Sequence, residues 1–234
     1  MYLKPNGIHR KEQWLQAYPP MGGRDQWAAG RSALELARYM TAHLPYVPYE
    51  IERALASLTD GEAAFDWLGE YVTEFAAYGL GTGNGRNHDA ILWNRDVFVG
   101  VEGKADESLG NKYVASEYLD GGANKKKRVA GLTSMIWGDS PEAHPDIRYQ
   151  LLTASTAILL EAKERGLSKA LFLVVVFKQP GKYRQERIEA NNRDIQAFLD
   201  STHAVRAGNL YRVPTAYGAE QGIELYFKKI EIDL

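Results

Sequence analysis

The sequence predicts an α/β protein with a central mixed sheet flanked by helices, and three stretches carry that expectation. Residues 90–93 and 97–101 are short β-branched or aromatic runs around Asn94, Arg95 and Asp96, the pattern of a β-hairpin. Farther on, Ile147, Leu151, Ala154, Ile158 and Ala162 share one face of a long helix that Gly166 closes. Residues 170–177 follow as an unbroken apolar run, the mark of a strand buried on both faces. Strand, long helix and buried strand make a βαβ crossover, which places the two strands parallel in one sheet.

The remaining elements fit around that core. The first eighty or so residues read as helical. Ala33, Leu36, Ala37, Met40 and Leu44 recur at helical spacing, and Pro45 and Pro48 stop that helix. A second helix is expected from Asp60, carrying Ala64, Phe65, Leu68, Tyr71, Val72 and Phe75 and closed by Gly79. Gly79, Gly81, Gly83 and Gly85 mark a flexible connection, and they lack the Gly-Lys-Ser/Thr ending of a nucleotide loop. The stretch after the hairpin reads as polar and irregular to about Pro145. A helix around 187–199 and a strand around 223–232 complete the chain. With no linker in sight, a single domain over 1–234 is expected, with a helical N-terminal part at about 10–80 and a catalytic core at about 86–234.

Composition limits the chemistry. With 45% apolar and 25% charged residues, the chain is an ordinary globular one. It has no cysteine, which rules out disulfides, thiolate zinc sites and cysteine nucleophiles and fits the cytoplasm. No apolar segment is long enough for a bilayer, so no membrane partner is expected. The formal net charge of −2 gives no overall attraction for nucleic acid. A contact would need a local patch, and the dense one is Lys125, Lys126, Lys127 and Arg128, read here as a solvated loop that could touch backbone phosphate.

The chemistry gathers around the hairpin. Side chains alternate along a strand, so Val97, Val99 and Val101 share one face while Phe98, Gly100, Glu102 and Lys104 share the other. Glu102 and Lys104 then lie about 6.6 Å apart along that face. Asp89 opens the partner strand and can end beside them, and Gly100 and Gly103 would leave room for a bulky ligand. Two converging carboxylates repel unless a cation lies between them, and such oxygens suit Mg²⁺ or Mn²⁺. A lysine beside that metal can orient the attacking water and offset phosphate charge.

Asn87-His88-Asp89, the segment 99–110 around Glu102 and Lys104, and the segment 146–157 together resemble the DUF6946 family, and so does the helix pattern of residues 30–37. The resemblance runs from about Trp27 to about Leu199. Through that family the chain resembles the PD-(D/E)XK nuclease superfamily, which implies a restriction-endonuclease-like core with its active site at one sheet edge. The resemblance assigns Asp89 as the first acid, Glu102 as the second and Lys104 as the catalytic lysine, with Asp89 and Glu102 on the metal. Glu35 would be a further carboxylate from the first core helix. Two departures stand out: His88 occupies the proline position, and Thr153-Ala154 follow Leu152 where the family pattern has a His-Arg pair.

Other residues have competing readings. Glu35 also completes a capping box with Ser32. Asp106 could add a ligand, or with Glu107 simply end a strand in solvent. Gln150 and Tyr149, at the start of the long helix, could reach a phosphate or a metal-bound water, or only cap and pack. Glu74 reads as a helix-surface glutamate. Among five histidines without metal-binding spacing, His88 alone adjoins the acids. The resulting expectation is a Mg²⁺- or Mn²⁺-dependent phosphodiesterase acting on nucleic acid, DNA first, with oligomeric state open and a homodimer allowed. The alternatives are a catalytically silent nuclease-fold domain that binds nucleic acid or a protein, and a hydrolase of small phosphoesters.

Overall fold

The computed structural model describes residues 1–20, 23–60, 62–105, 107–178 and 185–234. Apolar runs with period two become strands, and those with period 3.6 become the helices that cover them. One eight-stranded mixed sheet results, in the order β1-β2-β3-β4-β5-β8-β7-β6. The strands are β1 (Tyr2–Leu3), β2 (Ala64–Thr73), β3 (Arg86–Trp93), β4 (Phe98–Lys104), β5 (Lys169–Lys178), β6 (Val205–Ala207), β7 (Leu210–Val213) and β8 (Glu224–Asp233). Strands β2, β3 and β4 form an antiparallel meander, whereas β4, β5 and β8 run parallel.

Two apolar layers grow from the alternation of the central strands. Val99, Val101, Leu171, Leu173 and Val175 pack under α1 (Lys11–Ala17), α2 (Ser32–Ala42) and α3 (Tyr49–Leu55). On the opposite face, Phe98, Phe172, Val174 and Val176 meet α5 (Ala123–Trp137), α6 (Tyr149–Glu164) and α7 (Gln185–Ser201). The short helices α4 (Val114–Leu119) and α8 (Ala216–Gln221) complete that second layer. Helix α6 is the crossover between β4 and β5 and is buried continuously from Leu151 to Ala162. No helix among the described residues is long and apolar enough to cross a membrane.

The expected hairpin, long helix, buried strand, late helix and final strand are all present, as is the helix beginning at Ser32. The helix expected from Asp60 to Gly79 is not: residues 64–73 are the strand β2. Gly79 instead closes a single 3-10 turn, Phe75–Tyr78, in the left-handed conformation. The polar stretch before Pro145 carries α4 and α5, so Lys125–Arg128 lie in the first turns of a helix and not in a loop. The short hairpin β6–β7 and α8 were not anticipated.

Strand β2 changes faces midway. Gly69 and Tyr71 pair with Ala90 and His88, yet they face opposite layers. A Cβ on Gly69 would lie 2.7 Å from the Trp14 ring in the α1 layer, while the Tyr71 hydroxyl donates to Glu161 of α6 at 3.1 Å. Between them Glu70 adopts φ 46°, a left-handed conformation that reverses the alternation. The partner strand reverses at the same level. Ala90 belongs to the α1–α3 layer, whereas the His88 ring lies on the α6 side against Gly100.

Gly100 does not leave room for a ligand. A Cβ there would lie 2.5 Å from Ile158 of α6 and 3.1 Å from His88 Nδ1, so the space is filled by protein. Gly103 is likewise faced by Asp89 and Ser32, at 3.4 and 3.5 Å. Both glycines serve close packing of helices on β4. Gly100→Ala should therefore lower stability by about 1–3 kcal/mol, the usual cost of overpacking a core. Urea unfolding should show a lower midpoint with an unchanged slope; an unchanged midpoint would mean that α6 can give way at this point.

Candidate functional site

Strand β4 ends the sheet core with buried charge. Glu102 and Lys104 are 3% and 7% exposed, although both belong to a strand whose seven residues are all buried. Lys104 Nζ lies 2.8 Å from Glu102 Oε1, and the same oxygen accepts from Gln150 Nε2 at 2.7 Å. The other oxygen, Oε2, is paired with the Arg86 guanidinium. Burial would raise the Glu102 carboxyl, but Arg86 and Lys104 outweigh it and hold the pKa below the ordinary value.

Asp89 reaches the same place along a different path. The ladder between β3 and β4 ends at Ala90 and Val101. Beyond it, Asp89 Oδ2 takes over as acceptor for the Gly103 N–H, at 2.7 Å. The two strands part around this carboxylate. Burial, then repulsion from Glu102, raises the Asp89 pKa well above 3.8, with Lys104 opposing. The two acids thus divide the work: Glu102 stays ionised and Asp89 holds its proton more tightly. His88 is neutral, its pKa pushed down to about 3 by burial and by Arg86, and its Nε2 lies 3.2 Å from Thr73 Oγ1.

Gln150 is placed by the anchoring of the α6 N-terminus. Arg148 bonds Asp194 of α7 at 2.8 Å and Gly110 O at 3.1 Å, and its guanidinium lies 4.1 Å from the Tyr113 ring centre. Tyr149 packs beside it, its hydroxyl pKa raised by burial to about 12. Gln150 is thus a positioning residue for Glu102.

The other expected residues scatter. Glu35 is buried on the opposite layer, where Oε1 accepts from Gly30 N at 2.8 Å and Arg38 grips both oxygens. It closes the loop before α2. The expected capping box is absent, since the N-cap is Arg31 and no side chain caps the helix. Asp106 lies outside the described residues. Glu107 does not end a strand in solvent; it accepts from Ser32 N and Ala105 N at 3.3 and 3.0 Å, tying α2 to the end of β4. Glu74 is exposed beside the turn that precedes the glycines.

In the basic run, Lys125 pairs with Glu117 at 3.3 Å and Lys126 lies over the Tyr118 ring. Lys127 is exposed. Arg128 donates to the carbonyls of Leu80, Thr82 and Asn84 and clamps the glycine-rich segment. Sequence reasoning missed Arg86, the residue that completes the charge balance. Its one signal was position, two residues before His88 on a strand leading into Asp89.

The profile of a domain of unknown function, DUF6946, matches residues 8–234. The chain belongs to the DUF6946 family. No curated protein and no solved structure matches it. What this DUF6946 chain can do must therefore be argued from its own residues.

Asp89 and Glu102 offer hard oxygen donors of the kind Mg²⁺ or Mn²⁺ takes, and Asp89 is under-neutralised. No group of three His, Asp or Glu side chains is placed to hold a metal among the described residues. A two-carboxylate site with water in the remaining positions is the arrangement Mg²⁺ accepts. The donor set fits, and a cation reaching Glu102 Oε2 would compete with Arg86.

The pH dependence of the metal-free protein follows from Asp89. A carboxyl whose folded pKa is raised stabilises the fold less as pH climbs from 3.8 through the folded value. Asp89→Asn mimics the protonated form and keeps an acceptor for Gly103. In EDTA its stability advantage over wild type should be absent near pH 3.8 and grow as pH rises. His88 acts in the opposite sense, losing its contribution as pH falls from 6.5 towards about 3, but it is common to both proteins and cancels. Urea midpoints measured from pH 4 to 8 provide the check, and a difference that shrinks with pH would contradict the assignment.

Proposed function

We propose that the chain is a Mg²⁺- or Mn²⁺-dependent phosphodiesterase acting on nucleic acid, with a restriction-endonuclease-like core. The observation that carries this reading is the placement of Asp89 across the parting of β3 and β4 from a buried, ionised Glu102 that touches Lys104. Residues 8–234 belong to one family, so the site sits in its matched region.

In this reading Asp89 and Glu102 hold the cation, which when bound would activate a water and offset phosphate charge. Gln150 fixes the rotamer of Glu102 through its Nε2 bond. Lys104, held 2.8 Å from Glu102, orients the water and faces the charge that develops on phosphate. Lys125, Lys126 and Lys127 on α5 remain the basic residues offered for backbone contact, while Arg128 serves the fold. Catalytic silence is the second reading, and one observation favours it. Arg86 already supplies Glu102 with a cation.

Millimolar Mg²⁺ or Mn²⁺ should raise the melting temperature by mass action, and Asp89→Asn should remove most of that gain. Lys104→Ala should slow cleavage of plasmid and single-stranded DNA by about 100-fold or more, the usual loss for one acid-base or electrostatic group. Cleavage that survives Lys104→Ala undiminished would place the active site elsewhere. No cleavage in any metal, with no thermal shift, would favour the silent domain.

A further inference from the structure

A cleft of about 410 Å³ opens beside Glu102 on the α6 side of the sheet. Its ionisable cations are Arg86, Lys112 and Arg128, and no Asp or Glu lies on its wall. Tyr149 and Phe75 add flat apolar surface. A cleft of this size and character takes a single small anionic ligand.

Its wall also carries unmet hydrogen bonds. Among the described residues five buried side-chain polar atoms have no partner, and three of them are Arg86 Nε, Asn87 Oδ1 and Gln150 Oε1, all from residues of this one cleft. Buried polar atoms are nearly always paired, so a concentration of orphans in one place calls for a ligand. The two amides cannot cure the defect by flipping. Asn87 Nδ2 donates to Glu70 at 2.7 Å and Gln150 Nε2 donates to Glu102 at 2.7 Å, which fixes both carbonyl oxygens as the free ends. The wall therefore requires an acceptor for Arg86 and N–H donors for Asn87 and Gln150.

A phosphate joined to a flat, N–H-bearing ring meets both demands. We propose that this cleft is a subsite for one unpaired nucleotide, with phosphate on Arg86 and the N–H edge of the base on Asn87 Oδ1 and Gln150 Oε1. In a duplex the Watson–Crick N–H groups are already engaged and the base is stacked; an unpaired base presents them freely. The subsite thus selects single strands, frayed ends or an extruded base. It rests on the phosphodiesterase reading for the identity of the polymer, not for the chemistry of the cleft.

The test is titration calorimetry in EDTA, where no metal-dependent step intervenes. Deoxyadenosine and deoxycytidine monophosphates should bind about tenfold or more tightly than inorganic phosphate, and a single-stranded oligonucleotide about tenfold tighter than its blunt duplex; tenfold is the effect of losing one good hydrogen bond to a charged or buried group. Asn87→Ala and Arg86→Met should each weaken nucleotide binding by about tenfold. Should Arg86→Met fail to fold, Asn87→Ala, judged folded by its circular dichroism, carries the test with Lys112→Ala. Asp89→Asn, which removes a proposed metal ligand, should leave binding in EDTA within about twofold, because it lies off the cleft wall. Equal affinity for phosphate and nucleotide would reduce the cleft to an anion site and overturn the proposal, as would equal affinity for duplex and single strand, binding indifferent to Asn87→Ala, or no binding. Nucleotide binding without cleavage in any metal would keep the subsite and remove the catalytic reading; cleavage without base-dependent binding would do the reverse.

Discussion

A strand buried along its whole length cannot carry charge unless that charge is answered locally, and this constraint shapes one end of the molecule. Every residue of β4 is buried, and two of them are Glu102 and Lys104. An unpaired buried carboxylate is costly enough to protonate or to unfold the region. Arg86 from β3, Lys104 from the same strand and Gln150 from α6 answer Glu102 together. That demand explains why the start of α6 is held so firmly. Arg148 bonds α7 and the loop at Gly110, so Gln150 has little freedom to leave its partner.

The second structural condition is the reversal of facing in β2 and β3. Glu70 turns over in β2, β3 turns with it, and the register between the strands is kept. With the reversal complete, the β3–β4 ladder ends, and the Asp89 carboxylate stands where a main-chain carbonyl would otherwise accept. A regular sheet would have sent Asp89 and His88 to the opposite faces and left no gap at this edge. The irregularity is therefore what brings a second acid to the first.

Much of this was legible in the sequence, and the parts that were not have physical reasons. Residues 170–177 could only be a central strand, because the run is apolar on both parities and short. Glu102 and Lys104 were legible as a same-face pair for the same reason of parity. Strand β2 was misread as a helix because Glu70 breaks its alternation. Phe65 and Trp67 face one layer while Leu68 and Tyr71 pack towards the other, and such a shifted pattern imitates a spacing of three and four. Helix α5 was hidden by its polar first turns, with burial beginning only at Val129. Arg86 and Asn87 were invisible as site residues, since what matters about them is the partner each meets or lacks across the fold. Glu35 shows the converse: its buried carboxylate suggests chemistry, and its bonds to Gly30 and Arg38 show loop closure.

The sheet ends in strands of two and three residues, β1 at one edge and β6 at the other. Each exposes too few free backbone groups to template a further strand, and β1 is also bridged to Tyr46. Growth of the sheet by strand addition is blocked on both sides. Contact with any other macromolecule must then run through side chains on helices, loops and the cleft, and its selectivity is a matter of charge and shape, not of shared β-structure.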